Sequence, residues 1–147
     1  MSVVDPYLSW RCFLEAYLDE LVAQVAAIIP LEAEVLGDGW DPRVQVAGWL
    51  ELKGSPTRRL YVAMPFASGL ALCSLAVGMT ADDVRADPRL VEDLAGEIAN
   101  IVGGNLWPLL PGCVGISLPQ TGLPPNPGGL MRRYLIGGEN LLVVGLD

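Results

Sequence analysis

The chain has no histidine among its 147 residues. That removes the usual general base at neutral pH, the commonest neutral metal ligand and every Ser–His triad. Cysteine is scarce. Cys12, Cys73 and Cys113 are odd in number and far apart, which argues for buried thiols in a reducing compartment more than for a disulfide framework. A thiol nucleophile remains open, but none has a histidine to activate it. Cations are also few: 9 Lys and Arg stand against 17 Asp and Glu, a formal net charge of −8. Arg58-Arg59 and Arg132-Arg133 are the adjacent basic pairs, too few for a nucleic-acid or anionic-membrane footprint. A membrane-length apolar run is missing too. The stretch from Met64 to Met79 is too short to span, and Pro65, Ser68, Gly69, Ser74 and Gly78 interrupt it. Asp5, Arg11, Glu15 and Asp19 make the N-terminal stretch neither a signal peptide nor a span. The expected location is the cytoplasm.

What is present is a globular composition. Hydrophobic residues make up 52% of the chain, and Gly and Pro are frequent without a repeat. The length suits one domain with a real core, spanning residues 1–147. Asp5-Pro6 reads as a helix start, with a cap and then proline in the first turn. Leu14, Leu18, Leu21, Val22, Val25, Ile28 and Ile29 follow at helical spacing until Pro30 stops the run. Val44 to Leu52 and Arg59 to Phe66 read as strands paired around Lys53-Gly54-Ser55-Pro56. The composition of Ala67 to Met79 allows a buried strand or a helix of small residues, and the helix is favoured because the hairpin needs a covering layer; residues 80–88 form a polar link. Val114 to Leu118 reads as a strand, and Gln120 to Gly129 as an irregular exposed loop. Leu130 to Ile136 and Asn140 to Gly145 form a last hairpin around Gly137-Gly138. The expected fold is α+β, an antiparallel sheet with a long N-terminal helix and a second helix on one face.

That second helix starts at Asp87-Pro88, again a cap and a proline, and runs at least to Ile101. At roughly 100° per residue, Val91, Leu94, Ile98, Ile101 and Val102 form a seating arc. Asp93, Glu97, Asn100 and Gly104 form a narrow stripe beside it. A carboxylate and a carboxamide three residues apart project side by side from a helix. Such a pair can reach into another molecule's site, one group gripping a cation and the other holding water. An ordinary solvent-facing stripe would carry the same residue types. Gly96 and Gly104 bracket the stripe at a helix-propensity cost of about 1 kcal/mol each. They fit close approach of a partner, close packing on the chain's own sheet or, at Gly103-Gly104, fraying toward Trp107-Pro108.

These residues resemble the CheX-like branch of the CheC/CheX/FliY chemotaxis phosphatases. The resemblance rests on Asp93-x-x-x-Glu97-x-x-Asn100-Ile101-Val102-Gly103-Gly104, preceded by Leu75-Ala76-Val77-Gly78-Met79 and followed by Ile116-Ser117-Leu118-Pro119. The family pattern is Asp or Ser, three residues, Glu, two residues, Asn, then an apolar pair and glycine. The resemblance implies hydrolysis of an aspartyl phosphate on a response-regulator receiver domain. By this likeness Asn100 would orient the attacking water and Glu97 would pair with the receiver's lysine. Asp93 would be a supporting position. The Mg²⁺ would belong to the receiver, and this chain would bind no cofactor. A single copy of the motif favours the CheX-like branch over the CheC branch, and with it a homodimer joined through sheet edges, to which the final hairpin could contribute. Trp107-Pro108 departs from the small and basic residues expected there; Trp107 belongs either to the core or to the docking surface. Two other functions compete: a non-catalytic module of this fold that binds a receiver or another signalling protein, and an unrelated domain with an apolar pocket near Trp40, Trp49 or Trp107.

Overall fold

The structure is a computed structural model; it describes residues 6–123 and 127–147, and side chains from residue 10 onward within those ranges. The elements in chain order are α1 (Pro6–Ile28), β1 (Ala33–Asp38), β2 (Val46–Gly54), β3 (Arg58–Met64), α2 (Phe66–Val77), α3 (Ala81–Ala86), α4 (Arg89–Leu106), β4 (Cys113–Ile116), β5 (Gln120–Thr121), β6 (Leu130–Ile136) and β7 (Asn140–Leu146). The strands form one antiparallel sheet in the order β1-β6-β7-β3-β2-β4, with β5 also pairing to β2. The α+β class and the long first helix are as the sequence implies. Asp5, read as the cap of α1, lies outside the described residues.

Alternation along the strands divides the sheet into two faces. Leu50, Leu52, Leu60, Val62, Met64, Tyr134, Leu142 and Val144 point to the helical side and share one core with Leu14, Leu18, Leu21 and Val22 of α1 and Val91, Ala95, Ala99 and Val102 of α4. The opposite face carries a smaller cluster of Val44, Ala47, Ala63 and Val143, with Trp40 packed on it. Tyr61 lies on that side, edge-on to Trp40, and its hydroxyl donates to the Gly128 carbonyl. Its cross-strand partner is Gly145, where a Cβ would overlap the phenol ring.

Four sequence expectations change. Residues 33–38 form an edge strand that period-2 reading passes over, because Glu34, Val35 and Leu36 are all exposed and a bulge lies between Val35 and Gly37. The polar link holds a short helix, α3, capped by the Thr80 hydroxyl accepting from the Asp83 N–H at 3.2 Å. The expected irregular loop begins with β5, paired to Gly48 and Trp49. The final hairpin is interior, flanked by β1 and β3, so it supplies no sheet edge; β1 and the β4–β5 side do. Two side chains also depart from their expected burial. Cys12 is exposed, and Ile28 leaves the buried face of α1 with 70% of its surface in water.

Candidate functional site

Helix α4 is seated by bulky and very small residues together. Its buried face comprises Val91, Ala95, Gly96, Ile98, Ala99, Val102, Gly103 and Leu106. The bulky residues alone suggest a seat to one side of the polar stripe. The small residues extend that seat across the far side of the helix, so the stripe points nearly straight away from the sheet. Contact is closest where Gly48 of β2 meets Gly96. A Cβ on Gly48 would run into the backbone of Gly96 and Ala95. Gly103 sits similarly tight, its missing Cβ about 3.1 Å from Leu50. Gly48 and Gly103 therefore serve the packing of α4 on the chain's own sheet. Gly104 has nothing within 4 Å of its missing Cβ and faces solvent.

A second contact fixes the helix from one flank. The Ser117 N–H donates to the Glu51 carbonyl at 2.9 Å, and the Ser117 hydroxyl accepts from the Glu51 N–H at 2.8 Å. This clamp holds the following residues beside α4, so that a Cβ at Gly96 would lie 3.3 Å from the Pro119 ring. Gly48 is the positioning residue that motif reading misses, while Pro119, the end of the Ile116-Ser117-Leu118-Pro119 segment, packs against α4 at Gly96. An isolated glycine within an apolar strand is the available signal, since it marks close approach of another backbone. Gly48→Ala is expected to destabilise the fold by about 1–3 kcal/mol through overpacking. Gly104→Ala, with open space around it, should be neutral or stabilising by up to ~1 kcal/mol. Urea denaturation of both variants checks the contrast, and equal stabilities would mean that α4 is free to shift away from β2.

On this seat Asp93, Glu97 and Asn100 are all exposed, on one side of the helix and within two turns of one another. None of the three side chains makes a hydrogen bond or ion pair within the described residues. Asn105, the nearby second carboxamide, is engaged; its Nδ2 donates to the Ile101 carbonyl at 2.8 Å. Asp93 acts on its surroundings at long range: burial first, and then its charge, raise the Cys73 thiol above the ordinary cysteine range. Cys73 is thus a buried, protonated thiol whose Sγ lies 3.5 Å from the Leu90 carbonyl. Among the described residues no cluster of His, Cys, Asp or Glu is arranged to hold a metal ion, and no helix is long and apolar enough to cross a membrane.

The stripe's other flank is apolar. A cavity of about 150 Å³ opens between the C-terminal half of α1, the end of α2 and α4, lined by Val25, Ile28, Ile29, Ala76, Leu94 and Ile101 among others, with Glu97 at its rim. Trp40, Trp49 and Trp107 do not line it. Trp107 is half-buried and packs on the main core, and Trp40 covers the opposite face of the sheet. What the arrangement offers is two carboxylates and one carboxamide without partners among the described residues, held outward on a helix beside a greasy hollow, with Glu97 the carboxylate at its rim.

No family model matches the sequence, and no curated protein matches it. Solved structures do match. A chain of the CheX–CheY–BeF₃–Mg²⁺ complex from Borrelia burgdorferi superposes with a TM-score of 0.73 at 17% identity, covering 91% of this chain and 96% of that one. Chemotaxis protein CheX from Vibrio vulnificus gives a TM-score of 0.66 at 15% identity over 92% of this chain and 96% of its own. A CheC-like chemotactic protein from Shewanella oneidensis gives 0.59 at 17% identity, with 92% and 97% covered. Sequence identity this low leaves shape as the shared property, and the shape extends over nearly the whole of each chain. The helix that presents Glu97 and Asn100 therefore belongs to a fold of the CheC/CheX chemotaxis type.

Proposed function

We propose that this chain is a phosphatase for the aspartyl phosphate of a response-regulator receiver domain. One observation carries the reading: the Glu97 and Asn100 side chains stand side by side in solvent, with no partner among the described residues, on a helix braced against the sheet. Side chains serving the fold would be engaged with it. The fold-mate from Borrelia burgdorferi, crystallised with CheY, BeF₃ and Mg²⁺, supports the choice of partner, because beryllofluoride is a chemical mimic of a phosphoryl group.

The reaction suits a chain without histidine. An acyl phosphate is already labile, so the main need is to hold a water in line with the phosphorus. The Asn100 carbonyl oxygen accepts one water proton and fixes the direction of the oxygen lone pair. The new P–O bond forms from water while the bond to the aspartyl oxygen breaks. The carboxylate leaves, and the water's protons pass to the phosphate product and solvent. Glu97 pairs with the receiver's lysine and so sets the distance between the two proteins. Asp93 supports the stripe one turn away. The Mg²⁺ is the receiver's own and stabilises the charge that the leaving carboxylate gains. Two copies of this chain would join, if through sheet edges, along β1 or the β4–β5 side.

The test uses the full chain with freshly phosphorylated receivers. The expected result is a shortened phosphoryl lifetime for the cognate receiver, with Glu97→Ala raising KM at least tenfold. An unchanged lifetime across all receivers of the host would overturn the proposal. Binding without hydrolysis would leave the non-catalytic module as the better reading.

A further inference from the structure

The stripe and its partner are poorly matched in long-range charge. A receiver's phosphorylation pocket is acidic, and this chain offers Asp93 and Glu97 from a protein of net charge −8. The receiver's lysine and Mg²⁺ would offset Glu97 locally, but beyond them the net charge of this chain does not favour the encounter. Association therefore needs a source of affinity other than charge, close enough to the stripe to be covered by the same partner.

The cavity between α1, α2 and α4 meets that requirement. Glu97 belongs to both the stripe and the cavity rim, so a body that seats a reacting group over Glu97 and Asn100 also lies across the opening. The lining is otherwise apolar: Val25, Ile28 and Ile29 from α1, Ala76 from α2, Leu94 and Ile101 from α4. Its surroundings continue the apolar surface, with Ile28 70%, Leu75 56% and Val77 51% exposed. An apolar cavity of about 150 Å³ accepts one benzene-sized group.

We propose that this cavity receives one large apolar side chain carried by the receiver domain next to its phosphorylation pocket. The inference rests on the phosphatase reading and deepens it by dividing the work. The cavity supplies binding that is equal in the ground state and the transition state, and Asn100 supplies what is gained only in the transition state. Loss of the cavity therefore changes KM, whereas loss of Asn100 changes kcat.

Two variants test this without touching the stripe or the core. Ala76→Trp fills the cavity from an exposed position, and Ile28→Asp places a charge on its rim. With the receiver that the wild-type chain dephosphorylates, both should raise KM about 10- to 100-fold, the cost of forfeiting one buried apolar side chain. The kcat at saturation should stay within about twofold. Affinity for the beryllofluoride-loaded receiver should fall in parallel, and circular dichroism should report an unchanged fold. A KM within twofold of wild type in both variants, with the wild type active, would overturn the cavity's role and leave the phosphatase reading standing. Loss of kcat at unchanged KM would overturn it too, by making the groove part of the alignment of water. Unchanged KM together with loss of a wild-type dimer on sedimentation would assign the groove to a second copy of this chain. A wild-type chain inactive on every receiver would remove both proposals together.

Discussion

Asn100→Ala is expected to lower kcat on the phosphorylated receiver by about 100-fold or more, with receiver affinity held within about twofold. The magnitude follows from the role: misplacing a reacting group by a single ångström can cost roughly that factor. No neighbour can take over. Glu97 lies one turn away and in the proposed complex would pair with the lysine, Gly104 has no side chain, and the Asn105 amide is bound to the Ile101 carbonyl. The fold should not suffer. Asn100 is exposed and its side chain makes no bond among the described residues, and alanine is the better helix former by several tenths of a kcal/mol. A slightly raised melting temperature beside a lost rate is thus the signature of a residue kept for its chemistry. Asn100→Asp sharpens the test. It keeps the shape but sets a carboxylate against the phosphoryl oxygens, so it should be at least as impaired. Single-turnover decay of labelled phosphoreceiver measures both variants. Full activity in Asn100→Ala would end the claim that this carboxamide directs the water.

The stripe was legible because helical spacing is a rigid rule: residues 93, 97, 100 and 104 share a side whatever the helix packs against. The seat was harder to read. Bulky residues mark an apolar arc, but the sheet-facing surface of α4 is largely Gly96, Ala99 and Gly103, and hydrophobicity gives such residues little weight. Only the contact of Gly48 with Gly96, 48 positions apart in sequence, shows why the strand carries glycine at 48 and how closely α4 lies on it. The first strand escaped notice for the opposite reason. An edge strand needs no continuous buried face, and this one alternates poorly around its bulge. The cavity beside Glu97 also lay beyond the reach of periodicity. Ile28 fits the apolar spacing of α1, yet it falls at the last turn, past the core, where it stays in water and walls the groove.

That wall depends on how α1 is pinned, which makes Asp19→Ala the substitution with the largest expected effect on stability. Asp19 receives two hydrogen bonds from Arg132 of β6, Nη2 to Oδ2 at 2.7 Å and Nε to Oδ1 at 3.1 Å, and one from the Tyr134 hydroxyl at 2.6 Å. Arg132 is 13% exposed and also reaches Asp38 at 2.6 Å and Glu15 at 3.6 Å. Its hydrogen bond to Asp19 holds the guanidinium proton well above the ordinary arginine range, against the opposing pull of desolvation. Removing Asp19 leaves a nearly buried cation with a half-exposed Asp38 and a distant Glu15, and it strips the buried Tyr134 hydroxyl of its acceptor. Breaking a buried pair from one side typically costs 3–5 kcal/mol; the two remaining carboxylates reduce this to about 3 kcal/mol. For a chain of this size that is roughly a 10 °C fall in melting temperature. Replacing the pair together, as Asp19→Leu with Arg132→Met, should recover much of the loss, because the penalty comes from the stranded charge. Glu15→Ala, which removes the longest contact, should cost under about 1 kcal/mol. Loosening α1 should also weaken receiver binding while leaving kcat intact, since the helix walls the groove and contributes nothing to the stripe. An Asp19→Ala protein as stable as wild type would show that the apolar face of α1 holds it in place without the network.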